Sequence, residues 1–563
     1  MTRLTGARYL AEAFKAYGVT HFFYVPVIIP EAVKEMTRLG ITPVMTHGEK
    51  PAAYMADGYA RVSHRPGVCG AQTIGGTNLA AGLRDAFLAR VPVIALCGGK
   101  LPQRRYRFVY QEIDDMPIYQ AITKFNATVE RVDRLPDLLC TAFRSATSGM
   151  PQPVHLELAG QAGEVVNEEL ETDLEFDAHY AAFPSVRSPA PAEDVNRALA
   201  ALQEAQRPII VAGGGVMSSG GQAQVVELAR RLSIPVATSL NGKGIILDSD
   251  PLSIGVVGEY SRRCANQAVW EADLVFFVGS LTGGLTTRNW SVPAPSVRVV
   301  HVDINAENLG RNFPNTIGVC GDARTVLEQL LGATQAQPAP AARQAWLERI
   351  SQLRSDWQAS VRDHEASDAV PMRPERLCRE ISAGLPADAI VVADTGHSGA
   401  WLAQDFYATD ARQTFIRAHG SLGWGLPAAI GAKAAAPNRP VVCFTGDGGF
   451  FYHFSELETA VRYGINIVVV VNNNGSLNQE QRLWKESTEF DKNWRFCPVD
   501  FSAAARAFGC HGARVEEPAQ VRSALEGALA ANRPAVIEAL TDLWVPAAPS
   551  WAPPAAVAVG APG

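Results

Sequence analysis

The chain has 563 residues, 47% of them hydrophobic and 19% charged, with a net charge of −7 and nine cysteines. That length is ample for three ordinary domains, and the acidic balance argues against nonspecific nucleic-acid binding and against docking on anionic membranes. No apolar run approaches the length that spans a bilayer, and no two cysteines fall at C-x-x-C spacing, so they read as small buried hydrophobes of a reducing, cytoplasmic compartment.

In chain order, Met1 to Gly6 runs into an amphipathic helix rather than a signal-peptide core. Short β-rich apolar runs then alternate with helical patterns three times over, the pattern of parallel sheets wrapped in helices. In the first third they are 42–45, 67–71, 92–96 and 153–158; Gly98-Gly99-Lys100 follows there but lacks the rest of a phosphate-loop pattern. Residues 183–192, with Pro184, Pro189 and Pro191, read as a linker. The middle third has 208–212, 235–240, 273–279 and 297–303, and Ala333 to Ala342 reads as a second linker. The last third has 389–393, 441–444, 467–471 and 534–540, followed by a Pro/Ala-rich stretch from Trp544. We therefore expect an α/β protein of three doubly wound parallel-sheet domains at 1–165, 190–332 and 345–543, with a flexible tail at 544–563. Only Trp544 and Trp551 speak for a tail that folds over a site.

The densest chemistry lies late in the chain. Gly446-Asp447-Gly448-Gly449 follows one predicted strand, and after 23 intervening residues the next ends in Asn472-Asn473-Asn474-Gly475. A hard divalent cation such as Mg²⁺ takes oxygen ligands in octahedral geometry, and a carboxylate plus an amide at adjacent strand ends supply part of that shell. Glycines let backbone N–H groups approach phosphate oxygens. The triple Asn leaves the register open by one. Far upstream, Thr46-His47-Gly48-Glu49 opens a helix that continues to Gly58-Tyr59-Ala60-Arg61; a helix-capping glutamate is the plain alternative there. Between them lies the Gly-rich segment His419 to Gly431.

Together these segments resemble the thiamine-diphosphate enzymes of the acetolactate synthase and benzoylformate decarboxylase superfamily. The resemblance covers nearly the whole chain and implies pyrimidine-binding, central and diphosphate-binding domains. It implies Mg²⁺ held by Asp447, Asn474 and the carbonyl of Ser476, with Gly446, Gly448 and Gly449 on the diphosphate and His397 and Ser398 adding contacts. Glu49, nine residues before Gly58 as in the family, would bond N1′ of the aminopyrimidine and promote loss of the thiazolium C2 proton. Leu422 would wedge the cofactor into its bent form, and the Gly420 carbonyl would accept from the 4′-amino group. The family also implies a homodimer or homotetramer with active sites between subunits.

Elsewhere the chain departs from the synthases. Pro26-Val27-Ile28-Ile29 replaces a Pro-Gly-Gly turn, Glu259-Tyr260-Ser261 stands for Met-His-Gly, and Gly279-Ser280-Leu281-Thr282 stands for Gly-Ala-Arg-Phe. Val27 and Ile28 would reshape the substrate space, which Gln111, Lys124, Gln479, Glu480 and Leu483 would also line. Gly213 to Gly215 and Asp303 keep the look of a nucleotide site, so FAD is allowed but not predicted. The activity implied is formation of a C2 carbanion (enamine) from a 2-oxo acid or ketone, followed by protonation or ligation to an acceptor carbonyl. A non-decarboxylating lyase or hydrolase of acyloins or 1,2-diketones is the alternative, and a cofactor-binding sensor a minor one.

Overall fold

A computed structural model describes residues 2–334 and 341–554, with the side chain of Ala341 excepted. Its three large sheets each hold six strands, and all their pairings are parallel. In the N-terminal sheet the spatial order is Thr42–Met45, His21–Tyr24, Gly67–Ala71, Val93–Gly98, Val154–Leu158 and Phe125–Val129. The C-terminal sheet runs Thr414–Arg417, Ile390–Ala393, Val441–Gly446, Val468–Asn473, Ala535–Leu540 and His511–Val515. Numbered within its own domain, each of these two sheets has the order 2-1-3-4-6-5. The central sheet is different: Ser253–Val256, Val236–Thr238, Pro208–Ala212, Leu274–Val278, Arg298–Asp303, Thr316–Cys320, or 3-2-1-4-5-6. In all three, strand order reverses beside the first strand, and ligands of such sheets bind where it reverses, beyond the carboxyl ends of the strands.

The central strands are apolar and fully buried, as Val468 to Val471 and Leu274 to Val278 show, because helices cover both faces of a parallel sheet. A short antiparallel pair, Thr2–Thr5 with Glu169–Thr172, ties the start of the chain to the end of the first domain. The helix Ala341–Glu365 buries Trp346, Ile350, Leu353 and Trp357 in the apolar cluster of the central sheet, and the Trp346 indole donates to the Pro208 carbonyl. The helix thus packs against the central domain along its first turns, while at its end Glu365 accepts from the Tyr407 hydroxyl of the third. Of the second predicted linker, 335–340 lie outside the described residues.

The tail is not a free end as far as residue 554. Gln404 donates to Ala548 O at 2.8 Å, Asn266 to Trp551 O at 3.0 Å, and Arg288 to Ser550 Oγ at 3.0 Å. Val545 and Ala547 lie against the C-terminal core and Trp551 against the central one. Pro/Ala composition, on which flexibility was expected, does not register how many carbonyls a docked extended segment such as 544–554 can offer. The rest, 555–563, lies outside the described residues. Among the described residues no helix is long and apolar enough to cross a membrane.

Candidate active site

Asp447 sits at the carboxyl end of the strand Val441–Gly446 and begins a short helix. Its carboxylate accepts from its neighbour Gly448 N at 2.7 Å and from Ser476 N at 2.9 Å, so the turn after the adjacent strand wraps around it. Burial nonetheless pushes the Asp447 carboxyl up to about 6. The three asparagines are divided by their partners. Asn472 accepts from the Thr541 hydroxyl and Asn473 donates to Glu538, both toward the strand Ala535–Leu540 and the residue after it, whereas Asn474 accepts from the Ser476 hydroxyl beside Asp447. Asn474 is thus the asparagine turned away from the neighbouring strand. Among the described residues no three His, Cys, Asp or Glu side chains cluster as a metal cage. One carboxylate, one amide and a carbonyl suit a Mg²⁺ ion that completes its shell with diphosphate oxygens and water.

Across the point where strand order reverses, Gly396 adopts φ +67° and starts the helix His397–Gln404. His397 Nδ1 lies 2.8 Å from Asn478 Oδ1, and Ser398 Oγ faces Gly446, 3.8 Å from where a Cβ would stand there. Asp394, buried behind this turn, accepts from Thr395 N, Gly423 N, Gly425 N and the Thr445 hydroxyl. It therefore clamps together the diphosphate turn and the wedge segment. Gly420 has φ +132° with open space on its Cβ side, and Leu422 is half-buried beside it. Asp85, from the N-terminal domain, takes the amides of His419 and Ser421 on either side of Gly420, at 2.6 and 3.0 Å.

Glu49 begins the helix Glu49–Ser63, and its carboxylate accepts from Asn78 Nδ2 at 3.2 Å. Gly75 lies so close that a Cβ there would meet Glu49 Oε1 at 2.5 Å. The turn ahead of it is held by the C-terminal domain, with His47 N donating to Glu456 and the His47 ring on Glu458. Helix 49–63 packs against Gly425–Ala435, where Gly58 meets Ala428 and Gly431 meets Met55. That pairing is antiparallel. At its other end Asp57 binds Arg61 through both oxygens and accepts from Trp424, while Arg61 donates to Arg417 O. Twelve residues of helix, about 18 Å, therefore separate Glu49 from the end that carries Leu422. A single chain does not bring those two together.

The substrate residues fare unevenly. Val27 is half exposed, whereas Ile28 and Ile29 are buried in the N-terminal core, Ile29 at φ +40°. Lys124 lies at the opposite rim of its sheet, just before Phe125–Val129, where its ammonium donates to the carbonyls of Ser148 and Met150; a cation there caps a loop. Gln111 accepts from Gln161 at 2.7 Å on a stretch whose Tyr106, Phe108 and Tyr110 are 94%, 100% and 76% exposed. Gln479 stands next to Gly396 and donates to Tyr260 OH at 3.3 Å, Glu480 is half-buried, and Leu483 is exposed. Sequence reasoning missed Asp394, Asp85 and Asp57 as organising acids. Asp57 and Arg61 carried a signal, the i,i+4 spacing of a helical ion pair; Asp85 carried none.

Profiles described as the N-terminal TPP binding domain, central domain and C-terminal TPP binding domain of thiamine pyrophosphate enzymes match residues 4–118, 195–330 and 394–539. The chain is 31% identical over 557 residues to the probable acetolactate synthase large subunit of Methanocaldococcus jannaschii, covering 96% of this chain and 92% of that one. Against the Escherichia coli K12 acetolactate synthase isozyme 2 large subunit the identity is 31%, with coverage of 96% and 97%. Against the isozyme 1 large subunit it is 29%, with 96% and 94%.

Proposed function

Because this chain belongs to the thiamine pyrophosphate enzymes and is acetolactate-synthase-like, we propose that it decarboxylates a 2-oxo acid and either protonates the product or joins it to an acceptor carbonyl. Bound thiamine diphosphate supplies an electron sink that no amino-acid side chain can replace. The observation that carries the reading is the joint presence of Glu49, free of any ion pair among the described residues and held beside Gly75, and of the Asp447–Asn474–Ser476 turn. Asp447, Asn474 and the Ser476 carbonyl would hold Mg²⁺ and thereby the diphosphate, with Ser398 and the amides near Gly446 to Gly449 alongside. Glu49 would keep a proton at N1′ of the aminopyrimidine, the Gly420 carbonyl would receive its 4′-amino group, and Leu422 would fix the bend that brings that group to C2.

The distance between Glu49 and Leu422 within one chain supports a site completed by a second copy, with Glu49 arriving from the partner. The exposed rings of Tyr106, Phe108 and Tyr110 offer apolar surface for such a contact. To test the reading, purified protein is supplied with thiamine diphosphate, Mg²⁺ and a panel of 2-oxo acids, and CO₂ and coupled products are measured. Glu49→Gln should cut turnover about 10²- to 10⁴-fold while cofactor binding persists. Undiminished turnover in that variant would sink the assignment.

A further inference from the structure

Where the three domains meet lies a cavity of about 340 Å³ at the carboxyl ends of the central strands, walled by Arg90, Gly214, Asp303, Tyr260, Arg417 and His419. A space of this size suits a ligand far larger than a three-carbon acid. It adjoins the reacting centre: His419 precedes Gly420, and the Tyr260 hydroxyl bonds Gln479. Of the two guanidinium groups that line it, Arg90 and Arg417, Arg417 is the buried one. Arg417 is 6% exposed and ends the strand Thr414–Arg417. It donates to Asn241 Oδ1 at 2.8 Å and to Ala418 O at 2.7 Å. Asn241 also reaches His419 Nδ1 at 3.3 Å, so a central-domain amide sets both side chains at the cavity wall.

No carboxylate among the described residues lies within ion-pair distance of Arg417. Arg61, the other buried guanidinium nearby, is matched by Asp57 at 2.7 Å and Asp85 at 3.7 Å. Burial, with the like charge of Arg61 adding to it, holds Arg417 down to about 10, as expected for a cation out of water whose direct hydrogen-bond partners are neutral. A neutral group laid here would leave that charge unmatched, whereas an acid group would match it with a charge-assisted, two-pronged bond. The carboxylate bonded directly to a reacting carbonyl stays at the cofactor, so it does not serve this guanidinium, which shares the cavity wall with Gly214 and Ser218 of the central domain.

We propose that the substrate of this enzyme carries a second, distal acid group, that its arm lies in this cavity, and that Arg417 receives the acid and so determines specificity. This rests on the reaction proposed above for the adjoining centre. The inference assigns the substrate class: 2-oxo acids with a further carboxylate or phosphate on an extended chain.

The test uses the intact protein with thiamine diphosphate and Mg²⁺, in a Glu49→Gln background that holds ligand without turning it over. A series of 2-oxo diacids of increasing length is titrated by calorimetry, each beside the 2-oxo monoacid of equal length. At least one diacid should bind about tenfold or more tightly than its monoacid. That advantage should vanish in Glu49→Gln/Arg417→Gln and return in part with Arg417→Lys, which also serves if the Gln variant fails to fold. No advantage at any length, or an advantage that survives Arg417→Gln, overturns the proposal. So does Arg417-dependent binding of ADP or FAD that excludes the diacids, which would assign the cavity to a nucleotide. Failure of the reaction itself shows separately, as turnover that persists in Glu49→Gln.

Discussion

Two buried carboxylates shape the catalytic end, and they were unequally legible. Asp447 could be found because glycines flank it and asparagines follow at a fixed remove, while Asp394 is a lone acid after a strand, as common loops have. Yet Asp394 gathers four donors from three turns, and burial still outweighs them, pushing its carboxyl up to about 6. An acid whose folded value lies above its unfolded value of about 3.9 contributes stability that is full below that value and lost as pH rises through 6. In cofactor-free protein Asp394 should therefore withdraw about 2 kcal/mol between pH 4 and 7. Asp394→Asn should lower the thermal midpoint overall, since its Nδ2 faces amide donors, and should flatten the decline across that range. An unchanged slope in melts at stepped pH would show that the carboxyl is ionised throughout.

At the scale of elements, the antiparallel pair 49–63 and 425–435 sets where every catalytic group stands. Gly58 entered the sequence reading only as a spacing mark; in the structure it and Gly431 are where two backbones touch. A Cβ on Gly431 would lie 1.9 Å from Met55 O, and one on Gly58 would lie 2.1 Å from Ala428 O. Both neighbours are backbone, so neither can rotate away. Gly431→Ala should cost about 2–4 kcal/mol, lower the thermal midpoint by several degrees and reduce activity, because separating the helices moves Asp57 off Trp424. A melt indistinguishable from wild type would mean that the crossing is looser than drawn. Helix contacts of this kind are invisible to periodicity, which reports a buried face but not its partner. Three edge strands were missed for a related reason: Phe125–Val129, Thr316–Cys320 and His511–Val515 are only partly buried, and a half-solvated strand loses the apolar run by which most inner strands were read.

For the whole molecule, the two outer domains share one strand order while the central one does not. The alternation of strands and helices foretold three parallel sheets, but strand order depends on which crossover is taken, and no local pattern encodes that. The shared order matters for assembly. It gives the pyrimidine and diphosphate sites equivalent positions on their sheets, yet the antiparallel helix pair leaves Glu49 about 18 Å along its helix from the cofactor wedge of the same chain. A closed dimer with two-fold symmetry would supply each wedge with the partner's glutamate and bury the Tyr106, Phe108 and Tyr110 rings. The consequence is measurable without a structure of the assembly. Glu49→Gln and Asp447→Ala chains, each inactive alone, are co-expressed with different tags at equal levels. Random pairing makes half of the dimers mixed, and each mixed dimer holds one site with Glu49 from one chain and Asp447 from the other, so about a quarter of wild-type activity should return. If the two residues served the same chain's cofactor, every site would lack one of them and no activity would return.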